Sequence, residues 1–437
     1  MRLSKHHLIF LLELRGLLGV LFVWNCLCSS IWAEKQISAE WVETLLNADQ
    51  TKRNFRGAVV YEDSARSIVA DSAHVRVEDG FYLFIHQVNY RDTSREVRAD
   101  SLKFQDNGGV ATFFGNVFLK NGNRKITAQT VRFSTEKNVL DASGGIDLIL
   151  SDERTLKAFS LRYDLNAEQG VLAGQAHLQV LGRSGDTLKA RSDSVVFAQE
   201  GKDLFLGGNV DIQQATTRAR AQFATYSDSA VVLSGQPSVA WTDLASGDSV
   251  SAYAKRITLA MVDQSLHSIS LTDSVVIHSV TVKDTLNSIQ NIDADSAQIV
   301  FFNQKPSTVS AQGAVQFDLF SAEIALAALS GRRLELVYQN SQIDSLIMDG
   351  PFTGRYVAKD RAAESRLGGK QCLIWFNGGD LEKMAIVDEA RCTHADSNEV
   401  TVSGDYLLLD FVAGRLARIE ADGGVQGYYN SKKEASP

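Results

Sequence analysis

One short phrase, apolar–Gly–Asn–apolar, recurs along this chain and constrains its fold more than any other feature. "ATFFGNVFL" at 111–119 returns as "LFLGGNVDI" at 204–212. Looser copies stand at 141–150 ("DASGGIDLIL"), 308–317 ("TVSAQGAVQF") and 420–428 ("EADGGVQGY"). Aligning the central glycine gives Gly57, Gly115, Gly144, Gly174, Gly208, Gly235, Gly313, Gly350 and Gly423. His86, Asp273 and Asp388 take the same place where the apolar pattern runs on without glycine. Successive spacings are 29, 29, 29, 30, 34, 27, 38, 40, 37, 38 and 35 residues. A period this regular marks a repeat architecture.

Around each hinge the alternation has period two. Ala111, Phe113, Gly115, Val117 and Leu119 share one strand face, as do Leu140, Ala142, Gly144, Ile146 and Leu148 in the next unit. A glycine in mid-strand marks a bend or a close backbone approach, so Gly115, Gly144, Gly174, Gly208, Gly235 and Gly313 read as fold lines. Between hinges lies a second strand-like phrase, small-x-x-x-x-apolar: "ADSLKF" (99–104), "AQTVRF" (128–133), "AFSLRY" (158–163) and "AQFATY" (221–226). Turn signals such as "QDNGG" (105–109) and "NAEQG" (166–170) separate the two phrases. The expectation is an all-β, elongated antiparallel array with about two bent strands per 27–40-residue unit. Helical repeats need a 3.6-residue pattern that is missing, and propeller blades need four strands in roughly 40–45 residues. At the N-terminal side, "SAEWVETLLNADQ" (38–50) fits either a short helix capped by Ser38 or the first strand of the array.

Residues 1–33 read as an export segment. Arg2, Lys5 and Arg15 precede or flank the apolar Gly16–Cys28 stretch, and Ser29, Ser30 and Ala33 supply small residues before Glu34. The alternative is an uncleaved anchor over 16–33, short against the roughly 20 residues of a spanning helix. Without the segment the net charge moves from −8 to about −10, which disfavours nucleic acid as a partner because binding there rests on phosphate neutralisation. Nothing after residue 33 is apolar for long enough to cross a membrane as a helix, so the processed chain reads as soluble in an exported compartment. Cys372 and Cys392 are then the remaining cysteines, and that compartment permits a disulfide between them. Residues 430–437 read as a disordered tail.

A search for chemistry finds little. No phosphate-binding glycine loop and no G-x-S-x-G elbow is present, so neither catalytic residues nor a cofactor are expected. Cys372, Cys392 and His394 lack a fourth ligand at zinc-like spacing, so no metal site is expected. Asp-Ser recurs at 71–72, 100–101, 193–194, 248–249, 273–274 and 295–296, which suggests turn and corner roles. "GNRK" (122–125) reads as a solvated loop, or as a basic rim able to meet lipid phosphates.

Over 99–150 the run "ADSLKF…ATFFGNVFL…ITAQTVRFS…ASGGIDLIL" resembles the OstA-like family, in which Ala-Asp-x-x-x-aromatic alternates with apolar-x-Gly-Asn-Val-x-apolar. The likeness is close over about 55–180 and recognisable to about 240; beyond that it is one of rhythm. On that basis 34–215 is the first half of an OstA-like β-jellyroll and 216–429 its divergent continuation. The resemblance implies a β-jellyroll or β-taco whose groove takes the lipid A acyl chains of lipopolysaccharide in the periplasm. It implies partners as well: other Lpt-type jellyrolls joined edge to edge, an inner-membrane exporter and an outer-membrane assembly protein. Phe113, Val117, Leu119, Ile146, Leu148, Val210 and Ile212 would line the groove. The strand pattern alone leaves two outcomes open, a groove for something apolar or a closed, side-chain-filled core in a structural spacer.

Overall fold

The computed structural model describes residues 35–431 apart from 48–49, 107–108, 135, 183–184, 199–201, 284–285, 322–323, 340–341, 360–362, 379 and 397. The expected export segment and residues 432–437 of the expected tail lie outside these. The described residues form 28 strands and no α-helix. The chain divides at Leu148/Ile149 into two compact units.

In the first unit Gln50–Glu62, Arg66–Arg76, Phe81–Asp92, Arg95–Gln105, Val110–Asn121 and Arg124–Ser134 pair in turn as antiparallel hairpins. Every one of these ladders shifts register once, in mid-strand. Phe114 pairs with Thr130 and Val117 with Ala128, so Gly115 and Asn116 stand against Gln129 alone. Each strand therefore contributes one half to a first wall (72–76, 81–85, 101–105, 110–114, 130–134) and one to a second (66–70, 88–92, 95–99, 117–121, 124–128).

The shift sits where the sequence repeat puts its hinge. All twelve aligned positions have positive φ, from 59° at Asp388 to 102° at Gly313. At Gly115 and Gly208 the following asparagine is left-handed too, with φ of 44° at Asn116 and 48° at Asn209. Glycine enters this region without the Cβ penalty, and asparagine tolerates it best among the others. A second reason favours glycine here. A Cβ at Gly115, Gly208 or Gly313 would collide with the carboxylate of Asp100, Asp193 or Asp295 on the preceding strand. Those aspartates belong to the recurring Asp-Ser pairs, so the corner role holds for them, in mid-strand. Asp248 has the turn role instead: its carbonyl accepts the Asp243 N–H and its side chain accepts the Ser246 hydroxyl in the turn just before Ser249–Tyr253, while the same buried carboxylate accepts the Val282 N–H at 2.8 Å.

The second unit is built alike. Arg154–Asp164 to Thr217–Tyr226 are consecutive hairpins, each ladder with its single mid-strand shift. Ala230–Ser234 and Ser238–Thr242 are the halves of one strand parted at Gly235, pairing with 223–226 and 217–220. Ser249–Tyr253 and Arg256–Val262 are the halves of the next. From Ser265–Lys283 to Asn398–Val412 the strands lengthen to 14–19 residues, which accounts for hinge spacings of 35 and above.

The described residues of 38–50 take the strand alternative and not the helix. Gln36–Ser38 and Trp41–Asn47 both pair with Gln50–Glu62, and the Glu40 N–H donates to the Gly57 carbonyl at the bend. Ladder bonds along the neighbour outweigh a single capping serine. Two residues of the expected tail are instead in a strand: Asn430 and Ser431 complete Gln426–Ser431, paired with Glu399 and Asn398.

Candidate functional site

Strand alternation puts one face of each wall inward. In Val110–Asn121 the inward set is Ala111, Phe113, Val117 and Leu119, all buried, while Phe114 faces out at 40% exposure. The seven residues expected to line a groove all point into these interiors, with exposures of 1–3%. Full burial of such side chains is worth about 1.5–3 kcal/mol each, so packing the two walls together is a main source of stability in each unit.

The interiors are closed. In the first unit Tyr90 of the second wall meets Phe113 of the first edge-on at 5.4 Å, and Tyr61 meets Tyr82 at 5.4 Å and Phe84 at 6.1 Å. At the mouth, opposite the crease, the Arg66 guanidinium lies 4.6 Å from the Phe104 ring centre and Arg95 lies 3.8 Å from that of Phe133. Each arginine is held by an aspartate of its own turn, Asp63 or Asp92, at 2.9 Å. Burial opposes ionisation of Asp92. The Ser94 N–H, the Arg95 guanidinium and N–H and the Tyr90 hydroxyl together outweigh it, holding the carboxyl below its usual range. Burial, with Asp92 beside it, pushes Tyr90 up to about 12.

The second unit closes its mouth with a different set. Gln214 Nε2 donates to the Gln264 carbonyl at 2.6 Å and Trp241 Nε1 to the Gln304 carbonyl at 2.8 Å. Lys305 pairs with Asp243 at 2.7 Å, and the Tyr338 hydroxyl donates to Gln290 Oε1 at 2.9 Å. Near the C-terminal side a pocket of about 180 Å³ interrupts the apolar lining, edged by Tyr356, Ser365, His394, Asp396 and Arg415. There Ser365 Oγ lies 2.8 Å from His394 Nδ1.

The permitted disulfide is not made. Cys372 and Cys392 are free and buried, and they lie on opposite halves of the bend, Cys372 beside Ile386 and Cys392 beside Leu367. Sequence reasoning missed the mouth residues altogether. Their signal was present in Tyr-x-Asp-x-x-Arg at 61–66 and again at 90–95, one repeat apart.

Residues 96–192 match the family model described as "LptA/(LptD N-terminal domain) LPS transport protein". The chain contains an OstA-like module. No curated protein matches the chain. Among solved structures it is similar to the crystal structure of LptH, the LptA homologous periplasmic component of the lipopolysaccharide transport device from Pseudomonas aeruginosa. That likeness is 19% identity over 30% of this chain and 74% of that one, with a TM-score of 0.18; so low a score adds nothing to the family match. Within the OstA-like module fall Phe113, Val117, Leu119, Ile146 and Leu148, whereas Val210 and Ile212 lie beyond it. The matched family is described as a transport family.

Proposed function

We propose that this protein is a periplasmic component of lipopolysaccharide transport that shields lipid acyl chains between the walls of its bent strands. The observation that carries the reading is the coincidence of the family match with an inward, largely apolar face on both sides of the crease. Burial is worth about 0.8 kcal/mol per CH₂, so one chain of a dozen carbons supplies ample affinity. No reaction is assigned; direction comes from partner proteins.

Two sheet edges support assembly with other strand-donating proteins. Among the described residues, Trp41–Asn47 pairs on one side only, with Gln50–Glu62. Arg415–Asp422 and Gln426–Ser431 pair only with Asn398–Val412. Uncovered edges are templates for β-augmentation.

A photoreactive residue at position 113 or 117 tests the reading in cells. A lipopolysaccharide adduct is expected at both, and adducts at outward Phe114 alone would defeat it. One observation favours a second reading, an envelope spacer with a dry core: the walls touch and their inward side chains are fully buried. Absence of any adduct at inward positions of either unit would establish that alternative.

A further inference from the structure

The first unit builds the same small device twice at its mouth. Tyr61-Glu62-Asp63-Ser64-Ala65-Arg66 and Tyr90-Arg91-Asp92-Thr93-Ser94-Arg95 stand 29 residues apart, the spacing of the hinges themselves. In the first, the Tyr61 hydroxyl donates to Asp63 Oδ2 at 3.0 Å, and Asp63 Oδ1 accepts the N–H groups of Ala65 and Arg66 at 2.8 and 2.9 Å. In the second, Tyr90 donates to Asp92 Oδ2 at 3.1 Å, and Asp92 Oδ1 accepts those of Ser94 and Arg95 at 2.9 and 2.8 Å. Both arginines are thereby aimed across the mouth onto a ring of the opposite wall, Phe104 or Phe133. Arg124 opens the next returning strand at the same interval.

These are not ordinary surface ion pairs. The two aspartate side chains are each 8% exposed and the arginines 21% and 18%. A cation over a ring gains most when water is largely excluded. At the crease the walls are joined by continuous backbone. At the mouth only side chains join them, so parting the walls there requires lifting Arg66 and Arg95 off their rings.

We propose that the paired Tyr-x-Asp-x-x-Arg phrases form a strap that holds the mouth of the first unit shut over its apolar interior, and that an amphiphile with an anionic head group opens it by drawing Arg66 and Arg95 off Phe104 and Phe133. This rests on the lipid-shielding reading of the interior. A guanidinium presents a planar fork that phosphate or carboxylate oxygens fit in pairs. The groups that close the empty mouth thus become rim anchors once an apolar tail lies inside. An uncharged amphiphile has nothing to offer in exchange for the ring contacts.

The full chain tests this with uncharged N-phenyl-1-naphthylamine as the probe of interior access. Replacing both arginines (Arg66→Gln with Arg95→Gln) is expected to speed probe uptake several-fold. In the unaltered protein dodecyl phosphate speeds uptake and dodecyl maltoside does not, and that contrast disappears in the double variant. Phe133→Leu, which keeps the core apolar and removes one ring, is expected to speed uptake as well. Hydrogen exchange of the unaltered protein needs no variant: dodecyl phosphate should deprotect amides at 63–66 and 92–95 while those at 115–117 hold. Equal uptake by unaltered and variant proteins overturns the strap, and equal action of the two detergents overturns its response to anions. Failure of every protein to take up either probe or amphiphile removes the lipid-shielding reading and the strap with it.

Discussion

Asn116 Nδ2 donates to Asp100 Oδ2 at 3.0 Å, one strand across the crease, and Asn209 repeats the bond to Asp193 at 2.9 Å. The glycine before each asparagine leaves room for that carboxylate, so Gly, Asn and the aspartate of the neighbouring strand form one unit of structure. Gly115→Ala therefore faces two penalties. Placing Ala at a φ of 73° costs about 1–2 kcal/mol, and its methyl displaces Asp100 from Asn116. Urea midpoints should show that loss. They should also show that Gly115→Ala combined with Asp100→Ala costs less than the two changes summed, since removing the carboxylate removes the collision. Strict additivity would refute the shared unit.

His86 is one of three hinges without glycine, with Asp273 and Asp388. It sits at a φ of 64°, followed by Gln87 at 50°. His86→Gly removes the Cβ strain and is expected to raise stability by about 1 kcal/mol, read as a higher urea midpoint at unchanged slope. A fall in the midpoint would mean that the imidazole makes a compensating contact.

Much of this architecture was legible in the sequence because it is local and periodic. Bend positions, hairpins and the inward face follow from period-two alternation and from glycine's unique backbone freedom, and even Asp273 and Asp388, without glycine, bend as aligned. What closes the mouths was not legible. Arg66 meets Phe104 and Trp241 meets the Gln304 carbonyl over long stretches of chain, and no spacing rule predicts which strands come opposite once two walls fold together. The helix alternative at 38–50 failed for the same reason, because pairing with Gln50–Glu62 is a tertiary fact. The missing disulfide also reflects wall assignment, which residue type does not carry.

The two cysteines give a direct check on closure. Burial raises both thiols, Cys392 to about 12 and Cys372 above that of an ordinary thiol. The thiolate is the reactive form, so neither should react with maleimide at pH 8 in the folded protein. Peptide mapping after a brief pulse should find both unlabelled, and both labelled in urea. Rapid native labelling of Cys372 would show that the second unit opens its interior readily.

Asp92 predicts how acid acts on the first unit. Its folded carboxyl titrates below the ordinary range, so its contribution to stability is fully present above the unfolded value of about 3.9. That contribution is lost as pH falls through the lower folded value. Asp92→Asn removes the titration while leaving an acceptor for the Tyr90 hydroxyl. The gap in urea midpoint between unaltered and Asp92→Asn proteins should stay constant from neutrality to about pH 5 and narrow below about pH 4. Opening should follow the same course, with N-phenyl-1-naphthylamine entering faster in acid in the unaltered protein and at a more nearly constant rate in the variant. A gap that widens in acid would mean that the carboxylate is held against its charge, and that Arg95 owes its place over Phe133 to the ring rather than to Asp92.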